Sequence, residues 1–406
     1  MTKSVDILVV GGGIIGLMSA FYAARSGARV TLAEQHFPGT QEGSSAEHVR
    51  MWRTMYNEIE FSEMAFQSGS LYTEIESQAG VKLLHYHGLL NFGSETDYTP
   101  EGTLLDPIQT LNSMNKTYKL LDKKEIEKQY PFKNLPDHYV GIFQPDNAVI
   151  DVKTTINTAI NLCKSHGVNF LSRKKLLKID NNFSGVKSTF EDGDVIHSRK
   201  IILAMGPYTN EVLKPSFDIE LNLLFWDMCF SYYRLDGSVE NYPMWFQFDK
   251  PHNGYSSLFY GFPEVEFARP GFCRIAVDWA SHTFSDIAQR YYAPPRIDIE
   301  IVRNFVKDHV IGLDSAPVDV GRAVMAHLPD NGCLLDFLPK NVPHYQNIVV
   351  CAAGWAFKFA PLFGKICADL ALEKNEFKHN ISTLSIDRPQ RLLSKPRLID
   401  IAKFMH

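Results

Sequence analysis

A glycine turn set between a buried strand and a helix, close to the start of the chain, constrains this sequence more than any other feature. Asp6-Ile7-Leu8-Val9-Val10 is a short apolar run, Gly11-Gly12-Gly13-Ile14-Ile15-Gly16 is a turn, and Leu17 to Ser26 is rich in good helix formers. A second run, Ala28 to Ala33, ends in Glu34. The apolar stretch from Val5 to about Ala24 has the length of a signal peptide or a membrane span, but its internal order predicts a βαβ unit instead. The unit starts so near residue 1 that the sequence predicts no presequence.

Such a unit predicts dinucleotide binding. Gly11 permits the tight turn out of the strand, Gly13 lets the backbone approach a pyrophosphate, and Gly16 lets helix and strand pack closely. The pyrophosphate then lies on the positive helix N-terminus, which adds Ile14 and Ile15 to the candidate cofactor-binding residues. Glu34, with Gln35 beside it, is placed to accept hydrogen bonds from ribose hydroxyls, and its charge repels a 2′-phosphate, which disfavours NADP. The turn alone does not separate NAD from FAD.

Composition narrows the classes. With 406 residues, 45% apolar and 21% charged, the chain is globular, long enough for two or three folding units. Its 41 Lys and Arg against 46 Asp and Glu offer no basic field for nucleic acid. Six scattered cysteines with no C-x-x-C pair read as reduced thiols of a cytoplasmic protein, and no metal site is predicted. His85-x-His87 places two imidazoles on one strand face, but no third ligand is suggested.

Beyond Glu34, the segment from Gly43 to Arg53 reads GSSAEHVRMWR. It resembles the G-S-x-x-x-x-x-R-x-x-R signature of the monomeric sarcosine oxidase branch of the D-amino-acid-oxidase-like flavoenzymes. The resemblance recurs in order along nearly the whole chain: GIFQPDNAVID at 141–151, the strand and glycine turn Lys200 to Tyr208, Tyr260-Gly261-Phe262-Pro263, Gly354-Trp355-Ala356-Phe357-Lys358-Phe359 up to Gly364, and the tail Ser385-Ile386-Asp387-Arg388.

The resemblance implies FAD as cofactor, with Ser44 and Ser45 near the pyrophosphate, Arg50 by the flavin ring, and Leu176, Gly206, Gly354 and Phe357 as further contacts. It implies that Arg53 and Lys358, from opposite ends of the sequence, hold a substrate carboxylate, the one as a bidentate fork and the other as a point charge. Lys358 also borders the cofactor, Tyr260 shapes the pocket, and Trp355 is divided between the flavin face and the core.

Departures from the family pattern carry their own expectations. Val324 stands where relatives with covalent flavin have cysteine, and Cys333 lies beyond the following turn, so FAD is expected to be non-covalent. Ala276 aligns with a lysine tied to oxygen activation, with Arg274 two residues earlier as a substitute, so the electron acceptor is either oxygen or another molecule. His48 and His282 are secondary candidates near the site.

The expected fold class is α/β (α+β): a Rossmann-like FAD-binding domain from 1–84, 141–214 and 318–406, with an interleaved mixed-sheet substrate domain from 85–140 and 215–317. The expected activity is oxidation of a C–N bond in a small amino or imino acid, N-methyl, cyclic or aromatic, by hydride transfer to flavin N5; the alternatives are a flavin dehydrogenase or repurposed flavoprotein with poor oxygen reactivity, and an NAD-dependent dehydrogenase. Trp52, Trp226, Trp279 and Trp355 fall in segments expected near the flavin or its roof, which favours a flat, aromatic or heterocyclic acid. The protein is expected to act as a monomer or small homo-oligomer, apart from membranes.

Overall fold

The computed structural model describes residues 3–40, 42–99, 101–239, 242–252, 254–291, 293–352, 354–373 and 380–393. Its first elements are the expected unit: β1 (Lys3–Val10), α1 (Ile14–Arg25) and β2 (Val30–Ala33). β1 lies at the centre of an eight-stranded sheet, parallel to β2 on one side and to Val195–Leu203 on the other. Asn169–Leu171 extends the sheet beyond β2, and Ile348–Ala352 runs parallel to the upper part of Val195–Leu203. Antiparallel additions, the hairpin Leu176–Asn182/Gly185–Phe190 and the strand Leu334–Phe337, complete it.

Ile7, Leu8, Val9 and Leu32 are fully buried, which fits a parallel sheet covered on both faces. α1 and the helices Val152–Ser165 and Ala360–Ala371 contribute to one apolar core against this sheet. α1 comes so near Ala360–Ala371 that a Cβ on Gly364 would stand 2.3 Å from Met18 Cβ and 2.7 Å from its backbone carbon.

A second, nine-stranded sheet carries the roof of the molecule. Its order is Thr283–Phe284, Leu224–Arg234, Phe272–Val277, Phe259–Phe262, Met244–Phe248, Leu89–Gly93, Val140–Gln144, Lys119–Asp122, with Asp319–His327 also paired to Leu224–Arg234. Two strands therefore depart from the expected division. Val140–Gln144 and Asp319–His327 begin segments that the sequence assigns to the cofactor domain, yet both pair within the roof sheet. The order of elements along the chain does not reveal which sheet a strand joins: Val140–Gln144 pairs with Lys119–Asp122 and Leu89–Gly93, and Asp319–His327 with Leu224–Arg234. A three-stranded sheet of Val49–Trp52, Ala148–Asp151 and Leu84–Tyr86 links the two.

Trp52 also departs from expectation. Its ring packs beneath the helix Ile59–Ala79, its indole N–H donates to Ala65 O at 3.0 Å, and a Cβ on Gly69 would lie 2.4 Å from it. It is a core residue. The Gly364→Ala variant should lose about 1–3 kcal/mol of stability, since the added methyl meets backbone as well as side chain; urea unfolding of the purified protein measures this, and an unchanged midpoint would contradict the packing.

Candidate active site

A long cavity runs from the C-terminal edge of the first sheet to the underside of the second. Gly11, Gly13, Ile14, Ile15, Glu34, Gln35, Ser44, Ser45, Arg50, Arg53, Leu176, Gly206, Tyr260, Arg274, Gly354, Trp355, Phe357 and Lys358 all line it. Gly16 does not; it stands behind the turn, where a Cβ would lie 1.9 Å from Gly11 O. Gly11 adopts φ +108°, and its own Cβ would meet Ala204 O at 2.2 Å, so only glycine allows strand, turn and helix to close up in this way.

α1 follows Gly13, which has no side chain to cap the helix, and Gly13, Ile14 and Ile15 line the cavity, so the helix N-terminus faces it as an anion site. Glu34 is buried and held by two backbone donors, Gly12 N–H at 2.6 Å and His36 N–H at 2.8 Å. An oriented carboxylate, a glycine turn closed to any Cβ and an elongated cavity fit the adenosine and pyrophosphate of FAD. Lys174, Lys175 and Glu211, which the sequence did not single out, border the same end.

The loop after Glu34 has a different division of labour from the one expected. Ser45, not Ser44, reaches α1: its Oγ accepts Ile14 N–H at 3.1 Å. Ser44 Oγ donates instead to Val324 O at 2.7 Å, tying the loop to the roof strand at the residue that replaces the family's cysteine. Arg50 ties the same loop internally, donating to Ser44 O at 3.1 Å and Ala46 O at 2.6 Å. Burial, with the nearby charge of Arg274, pushes Arg50 down to about 10. Cys333 is fully buried, and burial pushes its thiol up to about 12.

At the opposite end, Lys358 stands in the 3₁₀ turn Ala356–Phe359. The helix Ile59–Ala79 grips this turn through Ser68 Oγ, which donates to Lys358 O at 2.8 Å, and Tyr72, whose hydroxyl donates to Phe357 O at 3.0 Å. The Lys358 ammonium lies 4.7 Å from the Trp355 ring centre and 5.5 Å from that of Tyr56. Trp355 lies where core and cavity meet. Its ring stacks on Tyr56 at 5.5 Å and packs on the core, while its other side borders the cavity.

Arg53 is not a free cation. It is buried, its guanidinium sits over Tyr56 and Phe246, and it forms an ion pair with Glu101. Glu101 escapes sequence reading because it sits in an irregular turn with no periodic signal; its carbonyl accepts Asn57 Nδ2–H at 2.8 Å.

The roof adds two charged groups on one strand and the turn after it. Arg274 faces the cavity, 4.1 Å over the Phe230 ring, and donates to Val49 O at 3.2 Å. Ala276, expected in the place of the family's lysine, is buried, paired to Phe230 and Tyr260. Asp278 also lines the cavity, and burial together with Glu101 pushes its carboxyl up to about 7. Burial and the charge of Arg53 push Lys358 down to about 7. Asp278, which the sequence did not single out, follows Arg274 at an even spacing, and both line the cavity.

Other candidates stand aside. His48 and His282 do not line the cavity, and His282 stacks on Tyr291 at 3.9 Å. His85 packs on Phe267 at 4.4 Å, and His87 lies past the end of its strand. Among the described residues no group of three or more His, Cys, Asp or Glu side chains is arranged to hold a metal ion, and no helix is long and apolar enough to cross a membrane.

With this geometry the comparisons with known proteins agree. The chain is 34% identical over 94% of its length to a putative bifunctional amine oxidase of Dictyostelium discoideum, of which it spans only 37%. It is 27% identical to human peroxisomal sarcosine oxidase, covering 91% of this chain and 92% of that one. It superposes with a TM-score of 0.88 on the open form of NikD, described as an unusual amino acid oxidase essential for nikkomycin biosynthesis, at 30% identity over 95% of this chain and 98% of that one. Residues 6–370 match the family described as FAD dependent oxidoreductase, DAO. The chain belongs to the DAO family of FAD-dependent oxidoreductases.

Proposed function

We propose that this protein oxidises the C–N bond of a small cyclic or aromatic amino or imino acid whose carboxylate binds Lys358, with FAD held non-covalently. The observation that carries this reading is the contrast between the two cations. Arg53 is already paired with Glu101, whereas Lys358 has no carboxylate within ion-pair distance among the described residues. A carboxylate arriving at Lys358 restores the charge that burial opposes. Arg53 then serves by orienting Glu101 and walling the pocket, a change from the two-cation clamp implied by family resemblance.

FAD supplies a two-electron acceptor when bound. The remaining work falls to side chains. Trp355, Phe246 and Tyr260, three aromatic rings on the cavity wall, favour a flat substrate body. Asp278, near neutrality in its titration, takes the proton of the substrate ammonium so that the nitrogen lone pair is free as the C–H bond breaks. Arg274 and Arg50 place two cations on the wall beyond Tyr260, suited to oxygen or another acceptor that leaves with negative charge. Six buried thiols accord with a cytoplasmic address.

Asp278 and Lys358 titrate as a pair, so the pH profile of kcat/KM should be a narrow bell near 7, rising as Asp278 loses its proton and falling as Lys358 loses its own. Asp278→Asn should abolish the rising limb. Lys358→Met should weaken carboxylate ligands about 10- to 100-fold, the equivalent of one charge-assisted hydrogen bond. Steady-state kinetics across pH with spectral titration of a carboxylate ligand measures both; unchanged limbs and unchanged affinity would refute the assignment. Non-covalent FAD has its own check: acid precipitation should leave the yellow colour in the supernatant, and colour retained in the washed pellet would refute it.

A further inference from the structure

Two buried polar atoms on the roof strands have no role in the reading above. The strands Leu224–Arg234 and Asp319–His327 pair antiparallel, with Leu224 opposite His327 and Trp226 opposite Met325. Alternation puts Trp226, Met228, Met325 and His327 on one face, and three of these, Met228, Met325 and His327, line the cavity. Trp226 and His327 pack ring against ring at 4.4 Å. Both are more than nine-tenths buried, and both carry a buried nitrogen without a hydrogen-bond partner: Trp226 Nε1 and His327 Nε2. A buried polar atom left in this state is costly, and His327 lines the cavity, so a ligand group there can satisfy it.

The tautomer follows from the other ring nitrogen. His327 Nδ1 lies 3.4 Å from Asn331 Oδ1, an acceptor, so Nδ1 carries the proton and Nε2 presents a lone pair. Burial keeps the ring neutral, pushing it down to about 4. A donor, Trp226 N–H, thus stands beside an acceptor, His327 Nε2. Asn331 also fixes this wall relative to the carboxylate end, since its carbonyl accepts the Trp355 indole N–H at 3.0 Å, and Trp355 borders Lys358.

We propose that Trp226 and His327 form a roof subsite that reads a neutral hydroxyl or similar donor–acceptor group on the substrate's ring. A hydroxyl meets both demands at once, donating to Nε2 and accepting from the indole. An apolar edge would leave both nitrogens unsatisfied, so the subsite discriminates by cost as well as by attraction. The substrate class becomes a hydroxylated or ring-amide-bearing cyclic amino or imino acid. This inference rests on the reading of Lys358 as the carboxylate anchor.

The test is a spectral titration of the FAD-loaded protein with benzoate and its three monohydroxy isomers. At least one isomer should bind about tenfold more tightly than benzoate. Trp226→Phe, which removes only the N–H, and His327→Phe should each bring that ratio close to one while benzoate itself changes less than twofold; His327→Gln, which keeps an acceptor, should retain part of the preference. Equal affinity of all four ligands, or a preference that survives both phenylalanine variants, overturns the subsite. Failure of every ring carboxylate to bind overturns the Lys358 reading and the subsite with it, whereas benzoate binding without hydroxyl discrimination leaves Lys358 standing and removes the subsite alone.

Discussion

A dinucleotide can lie against the N-terminus of α1 only because nothing larger than hydrogen fits at Gly11 and Gly16. The Cβ atoms excluded there would strike backbone, Ala204 O at 2.2 Å and Gly11 O at 1.9 Å, so the constraint is set by the main chain and cannot be relieved by a side chain moving. From that close approach follows the rest of the cofactor end: the helix N-terminus faces the cavity, the chain turns so that Glu34 can be held by Gly12 N–H, and Ser45 can reach Ile14 N–H. The same helix presses on Gly364 of the C-terminal helix, which follows directly on the turn bearing Lys358. The glycine turn at the head of α1 and the turn bearing Lys358 are thereby joined through one packed pair of helices.

The opposite end of the cavity is governed by charge balance. Arg53, Glu101, Lys358 and Asp278 occupy a low-dielectric pocket in which an uncompensated charge is costly. Arg53 and Glu101 compensate each other, and the remaining pair lies near neutrality, Lys358 pushed down and Asp278 pushed up to about 7. Such a pocket is poised to take in an ammonium carboxylate, because the ligand brings one charge of each sign and can exchange a proton with the pair. Trp355, Phe246 and Tyr260 line the cavity around it.

Much of this was legible in the sequence because it depends on local order. The strand, turn, helix and terminal acid of residues 6–34 are adjacent in the chain, and so are the motifs around Arg50 and Lys358. What the sequence concealed depends on pairing between distant segments. Glu101 sits in an irregular turn and becomes functional only by meeting Arg53. Asp278 and Arg274 share a strand-face alternation that is visible, but whether the face looks inward is decided by pairing with Phe259–Phe262 and Leu224–Arg234. Val140–Gln144 and Asp319–His327, at the starts of the segments 141–214 and 318–406, pair in the roof sheet for the same reason. Trp52 shows the converse: its place beside Arg53 in the motif suggested the flavin, and its ring turned into the core under Gly69.

The central claim is that a carboxylate directs substrate to this site. It is tested most directly by mixing the FAD-loaded protein, without oxygen, with N-methyl, cyclic and aromatic amino acids and with the corresponding amines lacking the carboxyl group, while following the visible flavin band. The account predicts that a cyclic or aromatic amino or imino acid bleaches the band and that its decarboxylated counterpart does not. Bleaching of equal rate and extent by both members of a pair would contradict it.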